Sequence, residues 1–392
     1  MWLYLLIFFI PFVVYYSDSK QISKNSTFLF VYLFFLAAFV GLSDMFGGYD
    51  RYIYGEVFDS VADITTARES YLQHGAFLLF KGEPGYIILN ILISFITENR
   101  YIFIFICTCL VYILLYQTLK DYAKNHPLAL ILFMGLWFFF TFTYLRQVLG
   151  ATIVWLGIKY VINRNFWKFL FIFLIAWSMH KSAIIFFPVY FIPIKKYSVG
   201  TIVTVMIIAL LIGISPLPNK IFNLYGDNSI IEQRADYSSS GGVRIAYFLE
   251  AVFFLFIIIF NYFSIGKNKV DILMLNIALL FCMTLLLFIR SENGGRLSWY
   301  FMIGIIITLT NLCKNIKRKT TLSVGLVVLS LVLYIRVYNS WQAYYFLYPY
   351  KTFLTNGYRS EDIIHGNYEY NNMYDTDKFH RKPFRMLINV KL

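Results

Sequence analysis

Apolar residues run through this chain in long blocks broken by short polar knots. Blocks near 2–16, 27–42, 101–117, 127–145, 147–163, 166–180, 182–194, 199–214, 244–263, 271–290, 297–313 and 321–338 are apolar on all sides. At about 1.5 Å of rise per residue they reach most of the way across a hydrocarbon core of about 30 Å. Helices satisfy their own backbone in lipid, whereas barrel strands alternate apolar and polar residues, which these blocks do not. The pattern predicts an all-α protein, a polytopic transmembrane helical bundle of about twelve spans. A further stretch, 84–97, is too short to span and is predicted as a re-entrant or interfacial half-helix. It begins at Pro84, a favoured first helical position, with Glu83 at the positive end of its dipole.

Two polar knots lie at the centre of the pattern. Tyr144–Leu145–Arg146–Gln147 ends one apolar block, and His180–Lys181–Ser182 divides two others. Two crossings separate the knots, so Arg146 and His180 are expected on one membrane face, at the ends of adjacent helices. Ionisable groups there are costly unless they are paired, solvated or used.

Composition agrees: 59% of residues are hydrophobic and 14% charged, against about 25% charged in a soluble domain. The formal net charge of +13 does not indicate nucleic acid, because the cations are spread over short loops. With the N-terminus outside, every loop assigned to the cytoplasm carries Lys or Arg, from Lys20 and Lys24 through Lys120 and Lys124 to Lys314 and Lys319. The outer segment 43–100 is rich in acids. This is the positive-inside bias. Residues 1–16 have no basic start or cleavage pattern and read as a retained first span. Residues 1–338 form one expected membrane-embedded domain with outer loops 43–100 and 215–243. Residues 339–392 form an external, polar, tyrosine-rich tail. The cysteines Cys107, Cys109, Cys282 and Cys313 make no CxxC or Cys/His cluster, so neither a disulfide framework nor a zinc site is indicated. No nucleotide-binding or hydrolase motif is present, and no cofactor or metal is expected.

On this topology Asp50, Arg51, Glu83, Arg146, Gln147, His180, Arg244, Arg290 and Arg296 all fall on the outer face. Arginines from separate span ends suit a polyanion, because guanidinium is always charged and matches phosphate oxygens bidentately. The competing role is capping helix ends or pairing with outer acids, as Glu292 would for Arg290. Asp50 and Glu83 are candidate general bases, and His180 a base or a hydrogen-bond donor. Asp375–Thr376–Asp377 is a weak metal-like pair. The tail tyrosines suit either sugar stacking or an interfacial belt.

The ordered set Gly48–Tyr49–Asp50–Arg51–Tyr52, Glu83–Pro84–Gly85–Tyr86, Arg146–Gln147, His180–Lys181–Ser182–Ala183, Gly242–Val243–Arg244 and Arg296–Leu297–Ser298–Trp299–Tyr300 resembles the EpsG-like branch of Wzy-type polysaccharide polymerases. One departure is Gly150, where many relatives carry alanine at or near this position; it is expected to leave the chemistry untouched. The resemblance implies an integral-membrane glycosyltransferase of the bacterial cytoplasmic membrane, working on its outer face. It would join oligosaccharide repeat units carried on undecaprenyl pyrophosphate, in O-antigen, capsule or exopolysaccharide synthesis. Asp50, Glu83 and His180 would be catalytic, and Arg146, Gln147, Arg244 and Arg296 would hold the pyrophosphate. A flippase and a chain-length regulator of the same pathway are the implied partners, beside the membrane lipids.

Three other classes remain open. A lipid-linked oligosaccharide ligase would use the same donor with another acceptor. A flippase or other transporter should line a central cavity with charges, whereas here span interiors are nearly charge-free, with Glu250 the clearest exception. An O-acyltransferase would need polar groups reachable from the cytoplasm.

Overall fold

The computed structural model describes residues 1–17, 24–45, 48–71, 80, 82–218, 242–291, 294–313, 321–342, 346–355 and 381–385. All regular elements among them are helices, with one isolated bridge between Ser43 and Thr352. The first are α1 (Trp2–Tyr16), α2 (Ser26–Gly41), α3 (Tyr49–Ala67), α4 (Pro84–Ser94), α5 (Arg100–Tyr122), α6 (His126–Leu136) and α7 (Phe140–Thr143). Next come α8 (Leu145–Leu156), α9 (Ile158–Ile162), α10 (Phe166–Met179) and a 3-10 helix, Lys181–Tyr190. The chain continues through α11 (Val199–Ile214), α12 (Ile245–Phe260), α13 (Lys269–Leu287), α14 (Gly294–Ser298), α15 (Met302–Leu312) and α16 (Thr321–Gln342).

Each expected apolar block coincides with helix, but the expectation of full spans is corrected in length. Among the described residues four stretches are long and apolar enough to cross a membrane: Arg100–Tyr122, Leu145–Ile162, Lys269–Leu287 and Thr321–Gln342. The other apolar helices have 10–17 residues. Breaks account for part of the shortening. Trp137 leaves helical geometry at φ −139° and separates α6 from α7, and Tyr144 at φ −90°, ψ 50° separates α7 from α8. The block expected at 182–194 is a 3-10 helix of 10 residues. At about 2.0 Å per residue it extends about 20 Å, nearly the length of the 14-residue α10 packed against it.

This is a helical membrane protein, and its surface is apolar to match. Trp2 is 85% exposed, Trp167 76%, Phe260 77% and Phe263 91%. Helices approach closely where side chains are small, as expected when lipid offers no hydrophobic drive for association. A Cβ on Gly135 would lie 2.6 Å from the Ser330 Cα, fixing α6 on α16. One on Gly304 would lie 2.4 Å from the Ala278 nitrogen, fixing α15 on α13.

The bundle has two polar ends. At one, Lys124 bonds both oxygens of Asp271, at 2.9 and 2.6 Å. Asn311 donates to Asp271 there at 3.0 Å, and Arg164 and Lys196 bond backbone carbonyls of neighbouring loops. Asp44, Glu83, Arg146, His180 and Arg296 lie at the other, and the stretches Arg100–Tyr122 and Leu145–Ile162 run between the two.

The segment 43–100, expected as an outer loop with a half-helix from Pro84, holds two helices. The half-helix expected from Pro84 is α4, and α3 is a 19-residue helix that periodicity did not single out. Together with the start of α5 they enclose a second hydrophobic cluster around Phe58, Tyr86 and Phe103. Arg51 is buried inside this cap and donates to the Gly41 and Ser43 carbonyls at 2.9 and 2.8 Å, so it closes the end of α2. Residues 346–355 and 381–385 of the C-terminal segment pack against the end of α2 and the cap. Tyr350 stacks on Phe39 at 4.3 Å, and the Asp44 N–H donates to the Lys351 carbonyl at 3.0 Å. Arg381 bonds Asp63 at 2.9 and 3.2 Å, and Arg385 donates to Thr66 at 2.7 Å. Glu292, Asp375, Asp377 and most of loop 215–243 lie outside the described residues.

Candidate functional site

The polar motifs share one structural property: each is the start of a helix. Gly48 precedes α3, Glu83 caps α4, and Tyr144 caps α8. His180 caps the 3-10 helix and Arg244 caps α12, while Arg296 lies in α14. A chain that crosses and recrosses starts alternate helices on one side, so their positive dipole ends gather there. Helix starts and arginines together favour an anion.

Arg146 sits in the first turn of α8, where the dipole disfavours a cation. Glu83, at the start of α4, meets it in an ion pair and also accepts the Lys181 N–H at 3.1 Å. The pair is buried, with Glu83 8% exposed and Arg146 20%. Three rings wall the guanidinium: Phe80 at 4.3 Å, Tyr54 at 5.2 Å and Tyr86 at 5.7 Å. Cation–π contact is strongest where water is excluded, as here. Asp50, half-buried, lies one helical turn before Tyr54, and its N–H donates to the Thr143 hydroxyl at 3.2 Å.

Arg296 is held differently. Its guanidinium lies over the Tyr144 ring at 4.3 Å and donates to the Tyr144 hydroxyl at 3.1 Å. Among the described residues it has no carboxylate partner. Gln147 is buried and donates to the Arg296 carbonyl at 2.8 Å. The Trp155 indole donates to the Tyr300 carbonyl at 2.8 Å, so α8 grips the chain at both Arg296 and Tyr300. Trp299 stacks on Phe140 at 4.2 Å and closes this wall. Arg244 starts α12, anchored by its N–H on the Ile289 carbonyl at 2.9 Å. One turn on, Tyr247 packs on Gly295, beside Arg296.

His180 adjoins the ion pair through its chain neighbour, since the Lys181 N–H donates to Glu83, the partner of Arg146. Its Nδ1 faces the Ser182 hydroxyl at 2.5 Å and the Tyr300 hydroxyl at 3.3 Å. Gly150 is part of this contact: a Cβ there would lie 3.5 Å from both the His180 Cβ and the Tyr300 hydroxyl. The departure expected to leave the chemistry untouched therefore borders it.

The structure thus joins Asp50, Glu83, Arg146, Gln147, His180, Arg244 and Arg296 at one end of the bundle. Arg290 stands apart, donating to the Ile214 carbonyl at the end of α11. Sequence reasoning quoted Tyr86, Tyr144, Ser182 and Tyr300 within its motifs but gave them no role, and it passed over Tyr54 and Phe80. Helical spacing held a signal for two of them, since Tyr54 follows Asp50 by one turn and Tyr86 follows Glu83 by nearly one. Among the described residues no cluster of three or more His, Cys, Asp or Glu could hold a metal ion.

Fold and site define a helical membrane protein with a cationic, aromatic-walled cluster at one end. The sequence model of the EpsG family matches residues 26–352, and the chain belongs to that family. No curated protein and no solved structure matches it. The family connects the chain with exopolysaccharide synthesis of the polymerase type.

Proposed function

We propose that this chain is a membrane glycosyltransferase that polymerises oligosaccharide repeat units carried on undecaprenyl pyrophosphate. It works at the outer face of the bacterial cytoplasmic membrane. The observation that carries this reading is Arg296, a guanidinium without a carboxylate partner among the described residues. It stands beside Arg146, His180 and several helix starts, a setting that calls for an anion from outside the chain.

In the reaction the acceptor sugar's hydroxyl oxygen attacks the anomeric carbon of the donor. The bond from that carbon to the phosphate oxygen breaks, and the lipid pyrophosphate leaves with the electron pair. Arg296, Arg244 and Arg146 stabilise the charge that grows on it, as preorganised donors do. The hydroxyl proton passes to a carboxylate. Glu83 serves only if Arg146 leaves it for the phosphate; Asp50 needs no such exchange with Arg146. Gln147 acts through Arg296 by fixing its backbone.

The test is a purified enzyme in lipid nanodiscs given the lipid-linked repeat. A ladder of longer lipid-linked products supports the reading, and a strain lacking the chain should export single repeats or none. Full-length polymer on the lipid carrier in that strain would assign a ligase instead, and repeats trapped inside would assign a flippase.

A further inference from the structure

The two hydroxyls beside His180 assign it a role that the reaction scheme leaves open. The backbone N–H of Ser182 points at His180 Nδ1 at 3.3 Å. A backbone amide can only donate, so Nδ1 is the acceptor and carries no proton. The Ser182 hydroxyl at 2.5 Å and the Tyr300 hydroxyl at 3.3 Å crowd the same nitrogen, and the two hydroxyls are 3.0 Å apart. The Ser182 hydroxyl then donates to Nδ1 and accepts from Tyr300, which completes the set. The ring proton of the neutral imidazole is left on Nε2. That nitrogen has no hydrogen-bond partner among the described residues, and it is not among the sealed, unpartnered buried atoms.

We infer that Ser182 and Tyr300 are positioning residues that lock His180 as an Nε2–H donor, aimed at an anionic oxygen and unable to act as the general base. A general base must accept a proton, and the nitrogen able to accept is already occupied by a backbone donor that cannot be moved without unwinding the 3-10 helix. Arg146, Arg296 and, through the Lys181 amide, Glu83 are the charged groups around the ring. Tyr300 is fully buried, and its backbone carbonyl is held by Trp155, so its hydroxyl arrives at a fixed place. This inference deepens the proposed function and rests on it only for the identity of the anion.

The experiment has two arms on the full-length protein. Nitrogen-15-labelled histidine in nanodiscs reports the tautomer, with the His180 signal assigned by its loss in His180→Gln. Expected is an unprotonated Nδ1 and a protonated Nε2 in the wild type, with only a minor Nδ1-protonated share appearing in Tyr300→Phe and Ser182→Ala, where the backbone amide of residue 182 still holds Nδ1. A protonated Nδ1 in the wild type overturns the inference. In the activity arm, the Gln amide reaches the Nε2 position whereas the Asn amide reaches only Nδ1. His180→Gln should keep activity within about tenfold of wild type, while His180→Asn and His180→Ala lose about 10²–10³. Tyr300→Phe should lose up to about tenfold. Equal loss in Gln and Ala variants overturns the donor role. If the lipid-linked donor proves not to be the substrate, the tautomer arm still decides the inference.

Discussion

Glu83 and Arg146 form a buried ion pair between the first turns of two helices that begin on the same side of the bundle. Each partner answers a cost the other incurs. Arg146 lies at the positive end of α8 and needs a counter-charge; Glu83 is buried and needs a cation. The pair also joins the cap built from α3 and α4 to the membrane bundle.

Removing one partner should therefore destabilise the protein. Glu83→Gln leaves a buried guanidinium with only rings around it, at a cost of about 3–5 kcal/mol. The double variant Glu83→Gln with Arg146→Met should recover most of that loss. Thermal unfolding in detergent measures both, and activity should stay absent in the double variant even where stability returns. A double variant less stable than Glu83→Gln would mean the charges do not act as a pair.

Arg296 should behave in the opposite way. It has no carboxylate partner among the described residues, so Arg296→Lys should cost little stability. It should lower turnover by about 10²–10³, because Lys keeps the charge and loses the planar fork. Near-normal turnover in a well-folded Arg296→Lys protein would remove this residue from the anion site.

The C-terminal segment should matter to the cap. Arg381→Asp sets like charges against Asp59 and Asp63, which Arg381 approaches to 3.8 and 2.9 Å. Exposed pairs contribute about 1 kcal/mol or less, so the expected effect is a small fall in melting temperature and faster proteolysis of the cap. Adding Asp63→Arg should restore part of both. Absence of any rescue would assign the effect to Asp59, the other acid that Arg381 approaches.

Orientation follows from the cap and from the far end of α5. In a protein whose four native cysteines have been replaced, a cysteine at exposed Ser70 should react with an impermeant reagent from outside. One at exposed Lys120 should react only after the membrane is opened. External labelling at Lys120 would invert the proposed sidedness and place the arginine site toward the cytoplasm.

Much of the architecture was legible without coordinates. Lipid demands long apolar runs and short polar turns, so the helical class and the position of nearly every bundle helix could be read directly. The count of crossings also put Arg146 and His180 at one end, and the basic loops at the other. Pro84 and Glu83 marked the start of α4 by their chemistry alone. The cap helix α3 escaped because it lies in an acid-rich segment with no apolar block.

Tertiary structure decided the rest. The blocks are apolar on all sides, so no stripe in them says which face meets which neighbour. Rotation and depth are set by close approaches such as Gly135 on Ser330 and Gly304 on Ala278, which only packing reveals. Those settings select Glu83 as the partner of Arg146, the rings of Tyr54, Phe80 and Tyr86 as its wall, and Tyr144 as the support of Arg296. They also bring Tyr300 and Ser182 to one nitrogen of His180. Sequence placed the charged groups at one end because crossing parity is a property of the chain. Which of them pair, and which stay open to an anion, depends on side-chain distances of a few ångströms between helices far apart in sequence.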